Sequence, residues 1–155
     1  MDGLLTGIRK LKGGVKMRYL ISLDAARALK NEEKFSRSNT KVKVGKDLDG
    51  VKETILYLYD NPIAGVKKGE LYIKTSTWFT ATTKDRLNTV LEEFEYPFII
   101  IQRRGVWYFA LSEDIKINYS EFEKGKVPEH PYYSGRVWIK ADDVLAKLQE
   151  MARCS

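Results

Sequence analysis

One cysteine and one histidine are all the thiol and imidazole chemistry that 155 residues offer. A lone Cys154 can close no internal disulfide and leaves no CxxC pair for zinc or thiol exchange. A reducing, cytoplasmic setting is expected, the host cytoplasm if the chain is viral. His130 lies between Glu129 and Pro131 in a polar loop and reads as solvated. With no G-x-S-x-G elbow in the chain, nucleophilic catalysis has little support. Long apolar runs are missing as well, and none approaches the roughly 20 residues that a membrane span requires. Walker A, G-x-G-x-x-G, zinc-finger and EF-hand spacings do not occur, which disfavours nucleotide hydrolysis and dinucleotide chemistry. No repeat or low-complexity segment divides the chain.

What is present describes one soluble globular domain. Hydrophobic residues make up 43% and charged residues 31%, enough apolar side chain to bury a core and too much for disorder. The net charge is +6 and the isoelectric point is near 9.3, which points toward a polyanionic partner. Half of that excess sits in residues 1–16, where Arg9, Lys10, Lys12 and Lys16 face a single acid, Asp2. This glycine-rich stretch reads as a poorly ordered leader before an effective start near Met17. Leu4, Ile8, Leu11 and Val15 nevertheless fall at helical spacing.

The most regular patterning runs from Glu70 to Phe109. Glu70–Thr75 alternates apolar with polar residues, as a half-buried strand does. Leu87, Val90, Leu91 and Phe94 repeat at i, i+3, i+4 and i+7, which predicts a helix over Lys84–Phe94. Thr82 or Thr83 would cap it and Pro97 would close it. Phe98–Ile101 and Val106–Phe109 flank the turn Gln102–Gly105 and predict a hairpin. Upstream, Ser22–Lys34 reads as a helix capped by Ser22 or Asp24, Phe35–Thr40 as a break, and Thr40–Val44 and Thr54–Tyr59 as strands. A short continuation at Ile63–Val66 follows. Downstream, Ile115–Ile117 and Arg136–Lys140 read as strands, Ser120–Ser134 as a loop, and Ala141–Ala152 as a closing helix. The expected fold is α+β: an antiparallel sheet of about five strands with two or three helices packed on it, formed by residues 17–155.

The segment Trp78-Phe79-Thr80-Ala81-Thr82-Thr83-Lys84-Asp85-Arg86-Leu87-Asn88 resembles the W-x-T-x-T-T-K-x-R-L-N signature of a family of small phage and mobile-element proteins. Ser38–Val42, Tyr57–Ala64 and Gln102–Phe109 extend the resemblance over about residues 20–111, leaving 112–155 as an extension. Ser76-Thr77 departs from the small or glycine residues expected before the tryptophan. The resemblance implies a viral or mobile-element origin and supplies no mechanism.

Three functional readings follow. In the first, the chain is a nucleic-acid-binding accessory protein that holds the phosphate backbone of DNA or RNA without reading sequence. Lys41, Lys43, Thr80, Thr82, Thr83, Lys84, Arg86, Arg103 and Arg104 would form the contact surface, with the threonine turn seating phosphate at a helix N-terminus. Tyr57, Tyr59 and Tyr72, flanked by lysines, could stack bases; Trp78, Trp107 and Trp138 read as core. Against this stands a purely structural reading. The threonines cap the helix, Arg86 and Asn88 bridge to neighbouring strands, and the lysines of Thr40–Val44 guard an edge strand.

In the second reading the chain is a nuclease using Mg²⁺ or Mn²⁺. Asp60, Glu70 and Lys74, or the pair Asp114 and Lys116, would carry the site, although neither set has a distinctive spacing. No metal or cofactor is expected outside that reading. The third is a viral structural or host-interaction protein that pairs with another copy or a host partner. No pattern commits the chain to a reaction.

Overall fold

Four two-residue turns reverse the chain, and each brings a strand back beside the last. The turns are Ser38-Asn39, Tyr59-Asp60, Lys68-Gly69 and Arg104-Gly105. The last three hold both central residues at positive φ, the handedness that matches the twist of antiparallel strands. The computed structural model describes residues 14–75, 79–125 and 137–154, with side chains from Tyr19 onward. Strands β1 (Phe35–Arg37), β2 (Thr40–Lys46), β3 (Lys52–Leu58), β4 (Asn61–Lys67) and β5 (Glu70–Ile73) form an antiparallel meander. Late in the chain, β9 (Ile139–Lys140) adds to β5, so the sheet runs β1-β2-β3-β4-β5-β9. A second sheet, β6-β7-β8, comprises Ile99–Arg103, Val106–Ala110 and Lys116–Asn118.

Helices α1 (Gly14–Lys30) and α2 (Ala81–Glu93) cover one face of the large sheet. They run parallel: Ser22 of α1 meets Arg86 of α2, and one helical stretch later the Lys30 ammonium donates to the Glu93 carbonyl at 2.8 Å. A cation on the free carbonyls of a helix end is favourable there. Both helices stop at a glutamate in the left-handed region, Glu32 and Glu95, with φ of 54° and 62°. In each, the following amide bonds a carbonyl five residues back (Glu33 to Ala28, Tyr96 to Leu91), which satisfies carbonyls the helix leaves open. Pro97 therefore does not end α2; the turn at Glu95 already has. The remaining helices are α3 (Tyr119–Lys124) and α4 (Ala141–Cys154).

Strand alternation decides what is inside. Thr40 and Val42, Thr54, Leu56 and Leu58, and Leu71 and Ile73 face the helices and are buried. A bulge between Leu56 and Tyr57 lets Ile63 and Ala64 both turn inward. The small sheet contributes Phe98, Ile100, Trp107 and Phe109 to the same core, with Leu29, Leu87 and Leu91 from the long helices and Leu148 from α4. Phe109 stacks on Tyr119 at 4.5 Å, and Phe79 meets Trp107 edge-on at 4.7 Å.

The α+β expectation holds, with more pieces than foreseen. Among the described residues the antiparallel strands divide into sheets of six and three, and four helices pack on them. The expected break at Phe35 contains β1, so β2 is not an edge strand. Ser22 lies within α1, buried, and does not cap it. The loop expected from Ser120 begins as α3, capped by Asn118. Trp107 is core at 3% exposure, whereas Trp138 is 37% exposed. Trp78, His130, Arg136 and the leader before Gly14 lie outside the described residues.

Candidate nucleic-acid interface

The threonine turn is built for the fold's interior. Thr80, not Thr82 or Thr83, caps α2: its hydroxyl accepts the Thr83 amide at 3.1 Å and lies 2.9 Å from the Thr83 hydroxyl. Thr83 is buried, Thr82 half-buried and Thr80 exposed. One turn on, Arg86 is only 2% exposed. Its guanidinium donates to the Thr40 hydroxyl at 3.0 Å, the Ser22 hydroxyl at 2.5 Å and the Asn39 side-chain oxygen at 3.4 Å. It thereby pins α1, α2 and the β1–β2 turn together. Asn88 behaves like a piece of strand: its amide donates to the Ile100 carbonyl at 2.9 Å and its oxygen accepts the Ile100 amide at 2.7 Å. Arg86 and Thr83 are thus removed from any surface a phosphate could reach.

The other basic candidates separate into two places. Thr40 and Val42 point at the helices, so Lys41 and Lys43 point away from them, while Lys84 lies on α2 beyond the sheet. Lys84 reaches Gln102 of β6 at 3.4 Å, beside the exposed Arg104 of the β6–β7 turn. Arg103 is occupied by an ion pair with Glu113 and by the Gln102 carbonyl at 2.8 Å. The large sheet itself divides the surface that the sequence treated as one.

The face of that sheet away from α1 and α2 is the more developed site. The register sets Lys43, Ile55, Gly65, Tyr72 and Lys140 in one row across β2, β3, β4, β5 and β9. Lys41 and Tyr57 stand in the row above, Glu53, Lys67 and Glu70 in the row below. Lys74 and Trp138 continue β5 and β9. The Lys43 ammonium sits 5.0 Å from the Tyr57 ring centre, and Lys74 sits 5.5 Å from that of Trp138. Neither lysine has a carboxylate partner among the described residues. Lys41 pairs with Asp60 at 3.5 Å, Lys140 with Glu70 at 2.8 Å, and Lys67 with Asp47.

The last two pairs hold their acids ionised. The Lys140 hydrogen bond, then that of Tyr72, keeps Glu70 below the usual carboxylate range. The Lys67 side chain and the Val51 amide do the same for Asp47. Partial burial, and then the bond to Glu70, raises the Tyr72 phenol. Between Trp138, Tyr72 and Ile55 lies a groove of about 640 Å³ floored by Gly65.

A protein-family model, described as Kyanoviridae Gp96 protein, matches residues 17–129. The chain belongs to the Kyanoviridae Gp96 family. It is thus a cyanophage-family protein, as the phage resemblance implied, and the match is longer than the 20–111 expected. No curated protein and no solved structure matches the chain. The Gp96 match takes in Lys43, Tyr57, Gly65, Tyr72 and Lys74 and stops before Trp138 and Lys140, so β9 adds to the face from beyond it. No helix among the described residues is long and apolar enough to cross a membrane.

In this Gp96-family chain the acidic sets are dispersed. Asp60 and Glu70 stand at the two turns that bound β4, about 20 Å apart at the rise of a strand. Each is paired with a lysine of its own. Lys74 lies over the Trp138 ring and pairs with neither carboxylate. Asp114 is an exposed residue of the β7–β8 connection, and Lys116 donates to the Glu113 carbonyl. Among the described residues no three Asp, Glu, His or Cys side chains converge as metal ligands do. Sequence reasoning missed Trp138 and Gly65 as features of a site. The one signal for them was Trp138 on a lysine-flanked strand, the pattern already noticed at Tyr57.

Proposed function

We propose that this Gp96-family chain is an accessory protein that binds single-stranded nucleic acid in the infected cell, laying the strand across the open face of its large sheet. The observation that carries this reading is the pairing of cation with aromatic ring, Lys43 on Tyr57 and Lys74 on Trp138, on a sheet face that no helix among the described residues covers. A strand needs both groups at once, a ring on which a base can stack and an ammonium for the neighbouring phosphate. A duplex hides its base faces and would use only the lysines. Lys41, on the same face, offers a further backbone contact, whereas Thr80, Thr82, Lys84 and Arg104 lie beyond the sheet and outside the path of that strand. The chemistry needs no metal.

The test is fluorescence anisotropy of labelled single-stranded DNA, RNA and duplex DNA in EDTA at two salt concentrations, repeated with Mg²⁺ and Mn²⁺. Salt-dependent binding that favours single strands is expected. Lys43→Ala/Lys74→Ala should weaken it and lower the salt slope by about 1.4, at roughly 0.7 per phosphate contact. Lys84→Ala/Arg104→Ala should have the smaller effect. Metal-dependent cleavage would instead establish a nuclease. Absence of any binding would leave a protein partner or self-association as the function.

A further inference from the structure

The groove at the centre of the open face is more selective than its surroundings. Its floor is Gly65, the one position in the row from Lys43 to Lys140 without a side chain. A Cβ there would meet the Thr54 carbonyl at 3.5 Å, Ile55 at 3.7 Å and the Cη2 tip of Trp138 at 3.7 Å. Those are ordinary contacts, so neither backbone conformation nor crowding demands glycine at this site. What its absent side chain provides is depth beside an aromatic ring, in a cavity of the size that holds small ligands.

The polar groups around the groove mix the carboxylates Glu53 and Glu70 with the ammonium groups of Lys67 and Lys68. Glu53 is half-buried and, among the described residues, holds no ion pair or hydrogen bond with its carboxylate. Glu70 is occupied by Lys140 and the Tyr72 hydroxyl. Glu53 stands opposite Lys67 in the register, and its carboxylate oxygens, held in no hydrogen bond among the described residues, can accept N–H donors. On the nucleobases the exocyclic amino groups of cytosine, adenine and guanine are such donors; thymine has only its N3–H, flanked on both sides by carbonyl oxygens that a carboxylate repels.

We propose that the groove is a base-reading subsite: it holds one amino-bearing nucleobase beside Trp138 over Gly65, with Glu53 accepting its exocyclic N–H. This rests on the strand-binding reading and narrows it. The face tolerates any sequence except at this one position. The base is that of a bound strand, because the groove opens onto the row of lysines and rings that would carry the flanking nucleotides.

Anisotropy titrations of labelled dC, dA and dT 20-mers at one low salt concentration test this. The wild-type chain should bind the dC and dA oligomers about tenfold more tightly than the dT oligomer, the discrimination of one good base contact. Glu53→Gln, which keeps the shape and removes the acceptor charge, should bring the oligomers to within about twofold of one another. Trp138→Ala should weaken them all. Equal affinities for dC, dA and dT in the wild type would overturn the subsite while leaving strand binding intact. No binding of any oligomer would overturn both. Calorimetry with CMP separates the sources: CMP should bind far more weakly than the dC oligomer. Equal affinity would assign the groove to free nucleotides and overturn the strand-bound subsite.

Discussion

Arg86 and Asn88 show how one side chain can take the place of a stretch of secondary structure. A guanidinium at 2% exposure is tolerable only because oxygens from three separate elements surround its N–H groups, and breaking such a buried network is far costlier than breaking a surface pair. Arg86→Ala is expected to lower the unfolding free energy by about 3–5 kcal/mol in urea titration. Arg86→Lys should recover little, since an ammonium cannot reproduce the planar fork. Asn88→Leu leaves both main-chain groups of Ile100 unpaired in the interior and should cost about 2–3 kcal/mol. A loss below about 1 kcal/mol for either would mean that water or a neighbour replaces the bonds. The sequence already allowed for these roles, because the bridging reading of Arg86 and Asn88 was available from their place on a helix flanked by strands. Whether a given arginine points in or out was not legible. The i, i+3 pattern shows which face of α2 is apolar, but not that hydroxyls from Thr40 and Ser22 wait beneath it.

At the level of elements, strands with clear alternation were legible and short or non-local ones were not. β2, β3 and β5 announce themselves by polar-apolar alternation, whereas β1 has three residues and exists because the tight turn at Ser38 returns it to β2. β9 has two residues and is held by partners distant in sequence, Tyr72 and Ile73 of β5. Its main polar tether is Lys140 on Glu70. Because Glu70 titrates below its unfolded value, the tether's contribution is complete above the unfolded carboxylate pKa of about 4.3 and is lost as pH falls through the lowered folded value. Asp47 on Lys67 acts in the same direction at the β2–β3 loop. Melting temperature should therefore fall as pH drops from about 5 to 3, and more steeply in wild type than in Glu70→Gln. A Glu70→Gln curve parallel to wild type across that window would show the pair to be inert, as many exposed pairs are.

For the whole molecule, the decisive feature is one core shared by two sheets. Phe109 lies on the small sheet and stacks on Tyr119, yet it belongs to the same buried cluster as Leu56 and Ile73 of the large one. Phe109→Ala should cost about 3–5 kcal/mol. Far-ultraviolet and near-ultraviolet circular dichroism should still report one shared transition, shifted together. Separate transitions would show that the sheets fold independently. The division into two sheets was hidden in the sequence because local pattern shows that strands exist and not which of them pair. The same blindness applies to the basic residues: Lys41 and Lys84 read as one surface, and the sheet stands between them.

The late arrival of β9 has a consequence in time. Tyr57, Gly65 and Tyr72 are all synthesised before Trp138, which lies more than sixty residues beyond Tyr72. A nascent chain emerging from the ribosome thus carries half a face long before the strand that completes it exists. Until residues 137–154 emerge and dock, the growing polypeptide lacks the second ring-and-cation pair, and the strand-binding face proposed above would be only half assembled.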